Sequence, residues 1–269
     1  MISETIFSLS DFNKKMEYFD TPTFVFDAEK DNDKSVDLKI DKNCKIVLLN
    51  LTNEFSFKSI VFPNVDVTIS VFSNSALTSM NMDITLGNNS KLVTYFADFV
   101  SGDFRMVANV NLNGQESNCV WNLASLSKEE EHKNIDVSVI HNSSNSYSKI
   151  NNFGVSKDKS KLVFSGICHI KNGSHNSKAH QNAKIMVFDE FCDSIAKPIL
   201  KIDDNSIEAS HAAVVGKISD DQLFYLTSRG LSLEQARELI TFGYLKPILA
   251  GFDDENIKQI ILNKIEEEF

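Results

Sequence analysis

The sequence predicts a mainly β chain that ends in an α-helical domain, and three observations carry that expectation. From about Thr21 to about Val215 apolar and polar residues alternate with period two, the pattern of strands that bury one face and wet the other. The punctuation between these runs is mostly Asn, Asp and Ser, in a chain with only 10 Gly and 4 Pro; Asn and Asp tolerate left-handed turns and bond their own backbone. From about Lys217 the apolar period changes to 3.6, with helix-start signals at the boundaries. The implied organisation is a short N-terminal segment over 1–20, a strand body over 21–215 and a helical domain over 216–269.

Within the strand body, Val65-Asp66-Val67-Thr68-Ile69-Ser70-Val71, Met80-Asn81-Met82-Asp83-Ile84-Thr85-Leu86 and Ile135-Asp136-Val137-Ser138-Val139 each alternate apolar with polar. Gly87-Asn88-Asn89-Ser90 and Asn142-Ser143-Ser144-Asn145 read as turns. Strand follows strand with no helix between, which fits a sandwich, a barrel or a β-solenoid. Periodicity does not choose among the three, and no repeat word recurs clearly. In the helical part, Ser219 with Gln222 three residues on has capping-box spacing, Gly230 ends that helix, and Ser232 with Gln235 repeats the device before Ala236, Leu239, Ile240 and Gly243. The motif is helix, tight turn, helix. A third helix begins near Asp253, and its stripe of Ile257, Ile260, Ile261 and Ile265 needs a cover, expected from the other two helices.

Composition narrows the function. At 269 residues the chain can bury a sizeable core, and its net charge of -10 opposes phosphate backbones and anionic lipid; neither nucleic acid nor membrane is expected as a partner. Four Cys (Cys44, Cys119, Cys168, Cys192) with no CxxC pair suit a reduced cytoplasm. The first 20 residues lack a basic and apolar leader, and no apolar run approaches the roughly 20 residues of a spanning helix. No Gly-rich phosphate loop, Gly-x-Ser-x-Gly elbow or His-Glu-x-x-His occurs, so the expectation is a non-enzyme.

Several words of the sequence occur together in one known family. Ser210-His211-Ala212-Ala213, Val215-Gly216-Lys217-Ile218, Gln222-Leu223-Phe224-Tyr225-Leu226 and Ser228-Arg229-Gly230-Leu231 follow in the order found in the core domain shared by SufB and SufD, the scaffolds of the SUF iron-sulfur cluster assembly system. Phe164-Ser165-Gly166 and the run Ala179-His180-Gln181-Asn182-Ala183-Lys184-Ile185-Met186-Val187 resemble two further strands of that domain. The resemblance extends from about Ile135 to Ile261 and implies a right-handed parallel β-helix for the strand body. It also implies a SufD-like scaffold subunit whose helical domain docks a SufC-like ABC-type ATPase. The docking residues it points to are Phe224, Tyr225, Ser228, Arg229 and Gly230. A SufB-like subunit, or a second copy of the chain, is the implied partner across the stretch from Ile199 to Val215. A transient iron-sulfur cluster at that subunit interface, with none bound stably, is the implied cargo.

The ligand supply for a cluster is thin. Cys168 shares a strand face with Phe164, Gly166 and Ile170 and reads as a buried core thiol, as do Cys44 and Cys119. Cys192 lies in Asp189-Glu190-Phe191-Cys192-Asp193-Ser194, where flanking carboxylates argue for an exposed strand end and against an activated thiolate; Cys-Asp-Ser resembles the segment that carries the cluster-building Cys of SufB. His211 alternates with Ile207, Ala209, Ala213 and Val215 on one face, so the residues alone describe a core histidine, whereas the resemblance makes it an assembly residue. Two departures stand beside it: Ala209 replaces a Cys of the family, and Ala212 replaces the Glu of SufB. Arg229, in the turn, is either free for a bidentate contact or a charge on a helix dipole. His141, His169, His175 and His180 lack metal-ligand spacing, and His175 and His180 read as solvated residues of a polar loop. A stand-alone scaffold holding a cluster at Cys192 and His211, and a structural or carbohydrate-related solenoid, are the competing readings.

Overall fold

The computed structural model describes residues 22–27, 34–73 and 77–267, together with the backbone of two short strands, β1 (Ile6–Ser8) and β2 (Lys15–Met16). The rest of the N-terminal segment lies outside the described residues. Fifteen further strands follow: β3 (Thr23–Asp27), β4 (Ser35–Ile40), β5 (Cys44–Leu49), β6 (Asn53–Val61), β7 (Asp66–Ser73), β8 (Leu77–Leu86), β9 (Lys91–Asp98), β10 (Phe104–Leu112), β11 (Asn118–Ser127), β12 (His132–His141), β13 (Tyr147–Ser156), β14 (Lys161–Ile170), β15 (Lys178–Val187), β16 (Asp193–Ile202) and β17 (Glu208–Lys217). Three helices, α1 (Asp220–Ser228), α2 (Leu233–Leu245) and α3 (Glu255–Glu266), complete the chain, with a 3-10 turn over Lys246–Gly251 between the last two.

From β3 onward the strands go alternately to two sheets, and from β5 onward every strand pairs in parallel with the strand two places earlier. This is a parallel β-helix, the solenoid among the three folds that period-two alternation allowed; parallel crossovers take the right hand almost without exception. One column of facing residues runs Phe55, Met80, Met106, Ile135, Phe164, Ala196, so the coil lengthens from 25 to 32 residues (80 minus 55; 196 minus 164). That drift hides the repeat from any search at fixed spacing. The corners nevertheless repeat. Asn64, Asn89, Glu116, Asn145 and Asn176 all take positive φ at one corner, and the amide of each donates to a carbonyl of the next coil. Ser90, Ser117, Ser146 and Ser177, each one residue further on, form a buried column inside it.

Strand alternation sends one set of side chains into the lumen, where Phe55, Phe57, Met80, Ile84, Met106, Trp121, Ile135 and Phe164 form the main core. The buried Lys133–Asp98 pair is fully bonded, whereas Thr94 Oγ1, Trp121 Nε1 and Asn152 Oδ1 are buried without a hydrogen-bond partner among the described residues. The Lys133 ammonium, fully buried, donates to Asp98 at 3.2 Å and to the carbonyls of Val100 and Leu126 at 2.7 and 2.6 Å, while Ser125 donates to the second Asp98 oxygen at 2.6 Å.

The helical segment runs back along the outside of the sheet that contains β5, β7, β9 and β11. Val47, Phe72, Ala97, Ala124, Leu126 and Val155 on the outer sheet face form a second core with Leu245, Ile248, Leu249, Phe252, Ile261 and Ile265. Small outer residues let the chain approach: Ser70 donates to the Gly251 carbonyl at 2.5 Å, and a Cβ on Gly251 would lie 2.3 Å from the Tyr95 side chain. Lys45 pairs with Asp253 near the first coils. The stripe of α3 is therefore covered by the solenoid wall as well as by neighbouring helices, which corrects the sequence expectation; Ile261 and Ile265 are buried and Ile260 is exposed. One capping expectation also changes. Ser232 and Gln235 form the full reciprocal box, but Ser219 caps α1 without a side-chain bond, leaving Asp220 and Asp221 to face the positive end of that helix. Gly230, at φ 98°, closes a Schellman turn in which the amides of Gly230 and Leu231 donate to Thr227 and Leu226.

Candidate functional site

At the C-terminal end of the solenoid β16 and β17 each pair on one edge only, with no further neighbour among the described residues. Unpaired edges expose backbone donors and acceptors. Ile199, Ile202, Val214 and Val215 are exposed there, so the last coil presents an apolar, hydrogen-bonding rim.

His211 sits in the middle of β17, opposite Gln181 of β15, and shares the lumen face predicted for it. Its burial is the correction: the residue is exposed, because no coil follows to cover that face. Sequence periodicity identifies the face a strand residue takes but not whether the next layer exists. Beneath His211, Gln181 is 5% exposed and donates across the lumen to the Ile199 carbonyl at 2.9 Å. A Cβ on Gly166 would lie 2.6 Å from the Gln181 amide oxygen. The Phe-Ser-Gly word and the Gln of the Gln181-Asn182 strand are thus one packing unit, a coupling that neither word discloses alone.

Deeper in the lumen, His141 is fully buried with its ring nitrogens 2.7 and 2.8 Å from the hydroxyls of Ser146 and Ser148. Burial pushes its pKa down to about 4, so it stays neutral. Ser148 also lies 3.7 Å from the Cys168 sulfur. Burial pushes the thiols of Cys168 and Cys44 up to about 11 and about 12 and raises that of Cys119, which makes all three the inert core thiols expected. His180 is not a loop residue: it lies on β15, with Nδ1 2.8 Å from the Ser210 hydroxyl. His169 and His175 pair with Asp203 and Asp204.

Cys192 is half-buried at the corner before β16, its thiol 3.6 Å from the Asp158 carbonyl. It is far from His211. The Gln181–Ile199 bond marks the level of His211 on β16, and Cys192 precedes Ile199 by seven residues, a separation of about 20 Å at the rise of an extended strand. One chain therefore cannot ligate the same iron with both. Among the described residues there is no group of three or more His, Cys, Asp or Glu side chains that could hold a metal ion.

Of the residues singled out on the helices, Phe224 is 74% and Tyr225 57% exposed, on a helix with no buried residue. Arg229 is not free: its guanidinium lies 5.3 Å from the centre of the Tyr225 ring. Ser228 donates to the Tyr225 carbonyl at 2.8 Å. No helix is long and apolar enough to cross a membrane among the described residues.

The fold is a parallel β-solenoid with a helical segment packed on one wall and an open, partly apolar rim at its last coil. Residues 26–244 match the family model described as SUF system FeS cluster assembly, SufBD core domain, and the chain belongs to that family. It is 31% identical over 180 residues to the iron-sulfur cluster assembly protein SufD of Bacillus subtilis, a match covering 67% of this chain and 41% of that protein. SufB of the same organism is 31% identical over 123 residues, 46% of this chain and 26% of that protein. An iron-sulfur cluster assembly SufBD family protein of Staphylococcus saprophyticus is 34% identical over 109 residues, 40% of this chain and 23% of that protein. The matches span less than half the length of these relatives.

Proposed function

We propose that this chain is a SufD-like scaffold subunit for iron-sulfur cluster assembly. It works in the cytoplasm without catalytic activity of its own, docked through α1 and the turn after it to a SufC-type ATPase. The observation that carries this reading is the open last coil, with His211 exposed on its lumen face at the middle of an unpaired edge strand. An imidazole there is available to iron, or to a proton in transit, from whatever surface completes the coil. The nascent cluster is cargo at that junction, and its remaining ligands come from the partner, a SufB-type subunit or a second copy. The roughly 20 Å between Cys192 and His211 argues against the stand-alone alternative. Exposed Phe224 and Tyr225 on a helix that buries nothing supply the docking anchors.

The test is anaerobic co-expression with a SufC-type ATPase and a SufB-type subunit, followed by mass and iron-sulfide analysis. The expected result is a stable complex that loads iron and sulfide, with loading lost in His211→Ala and association retained. A chain that remains monomeric beside both partners would overturn the proposal.

A further inference from the structure

We infer that His180 sets the register of β17 and thereby the position of His211, an inference that rests on the reading of His211 as the assembly residue. As an edge strand β17 has ladder bonds to β15 alone. Its sequence places small apolar residues on both faces, Ala209, Ala213 and Val215 on one and Ala212, Val214 and Gly216 on the other. Where neither face is covered, such a strand has no hydrophobic pattern that distinguishes one register from the next.

Polar side chains on the outer face must then decide. Three pairs cross from β15 and its following corner: Lys178 to Glu208 at 2.9 Å, Glu190 to Lys217 at 3.2 Å, and His180 to Ser210 at 2.8 Å. The two ion pairs have carboxylates 60% and 80% exposed, where solvent leaves such pairs little weight. The His180 side chain is 27% exposed, its ring is braced by Tyr147 from the coil below at 5.8 Å between centroids, and its second nitrogen lies 3.8 Å from Glu208. The contacts from Tyr147, diagonal to His180, through His180 to the facing Ser210 thus cross three consecutive strands of one sheet. With Ser210 held outward, His211 must face the lumen. A slip of one residue would turn His211 out, and a slip of two would keep its face but carry it about 7 Å along the strand, away from Gln181.

Hydrogen-deuterium exchange of the full chain tests this. His180→Ala and Ser210→Ala should each speed exchange of the β17 amides about fivefold, the loss of one net hydrogen bond of about 1 kcal/mol at 1.4 kcal/mol per factor of ten. Amides of β11 and β13 should not change. The double variant should do no more than either single one, because both remove the same bond. His180→Asn, which keeps a side-chain polar group near the position of Nδ1, should restore protection. Unchanged β17 exchange in both single variants, or additive effects in the double one, overturns the inference. Iron loading of the assembled complex is read alongside: faster exchange with reduced loading supports both readings, whereas faster exchange with full loading leaves the register role standing and overturns the assembly role of His211.

Discussion

His211 and His141 occupy the same lumen, and truncating each to alanine should have opposite consequences. His141 is fully buried and bonded at both ring nitrogens, so His141→Ala opens a cavity and takes one partner from each of two buried hydroxyls. The expected cost is about 3 kcal/mol. His211 is exposed, so His211→Ala should change stability by no more than about 0.5 kcal/mol. With a urea dependence of about 3 kcal/mol per molar, these figures shift the midpoint by roughly 1 M and by under roughly 0.2 M. Trp121, the only tryptophan and fully buried in the lumen, reports both transitions by fluorescence. Acid adds a second measurement. The unfolded His141 takes its proton near pH 6.5 but the folded one only near 4. Stability is therefore complete above pH 6.5, falls as the pH drops, and by pH 4 has lost about 3 kcal/mol from this group. His141→Gln should flatten that part of the profile. A midpoint shift of 0.5 M or more in His211→Ala, in units set by the same slope, would refute the argument that the open coil leaves this histidine uncovered.

Three further outcomes follow from the packing. Phe224→Ala with Tyr225→Ala should abolish co-purification with the ATPase at a stability cost within about 0.5 kcal/mol, whereas truncation after Gly216 should destabilise the solenoid itself by uncovering Phe72, Leu126 and Val155; a fully stable truncated body in urea would contradict the covering role of the helices. Lys133→Met should cost about 3–5 kcal/mol by leaving Asp98 charged and uncompensated, and Asp98→Asn added to it should recover a large part, as thermal melts of the two variants would show. With a maleimide at neutral pH the native chain should label at Cys192, while Cys44, Cys119 and Cys168 should label only in denaturant; fast native labelling at Cys168, read by peptide mass, would show that the lumen is not closed.

Much of the site was readable before the fold. Alternation put Cys168 with Phe164 and Ile170, and His211 with Ala209 and Ala213, on the correct faces, because a strand's period of two is a local property. The reciprocal cap at Ser232 and the left-handed Gly230 were equally local. Ser219 shows the limit of spacing arguments: the residue types recur, but the reciprocal bond needs side-chain conformers that this lightly packed helix does not adopt. Gln181 received no role from the sequence, although it stands two residues after Ala179 and opposite His211. The signal that could have found it is Gly166 on the preceding strand, a glycine on a lumen face that otherwise carries Leu162, Phe164, Cys168 and Ile170.

What the chain determined by itself, then, was the order of strands and helices, the face of each strand residue and the family words from Ser210 to Leu231. Burial, proximity and cover belonged to the tertiary structure. His211 is exposed because the solenoid ends above it, Cys192 is far from it because both ride the same coil at different levels, and the α3 stripe is hidden because the chain turns back on its own wall. Each depends on which residues far apart in sequence become neighbours, and coils that lengthen from 25 to 32 residues leave no constant spacing from which such neighbours could be read (80 minus 55; 196 minus 164).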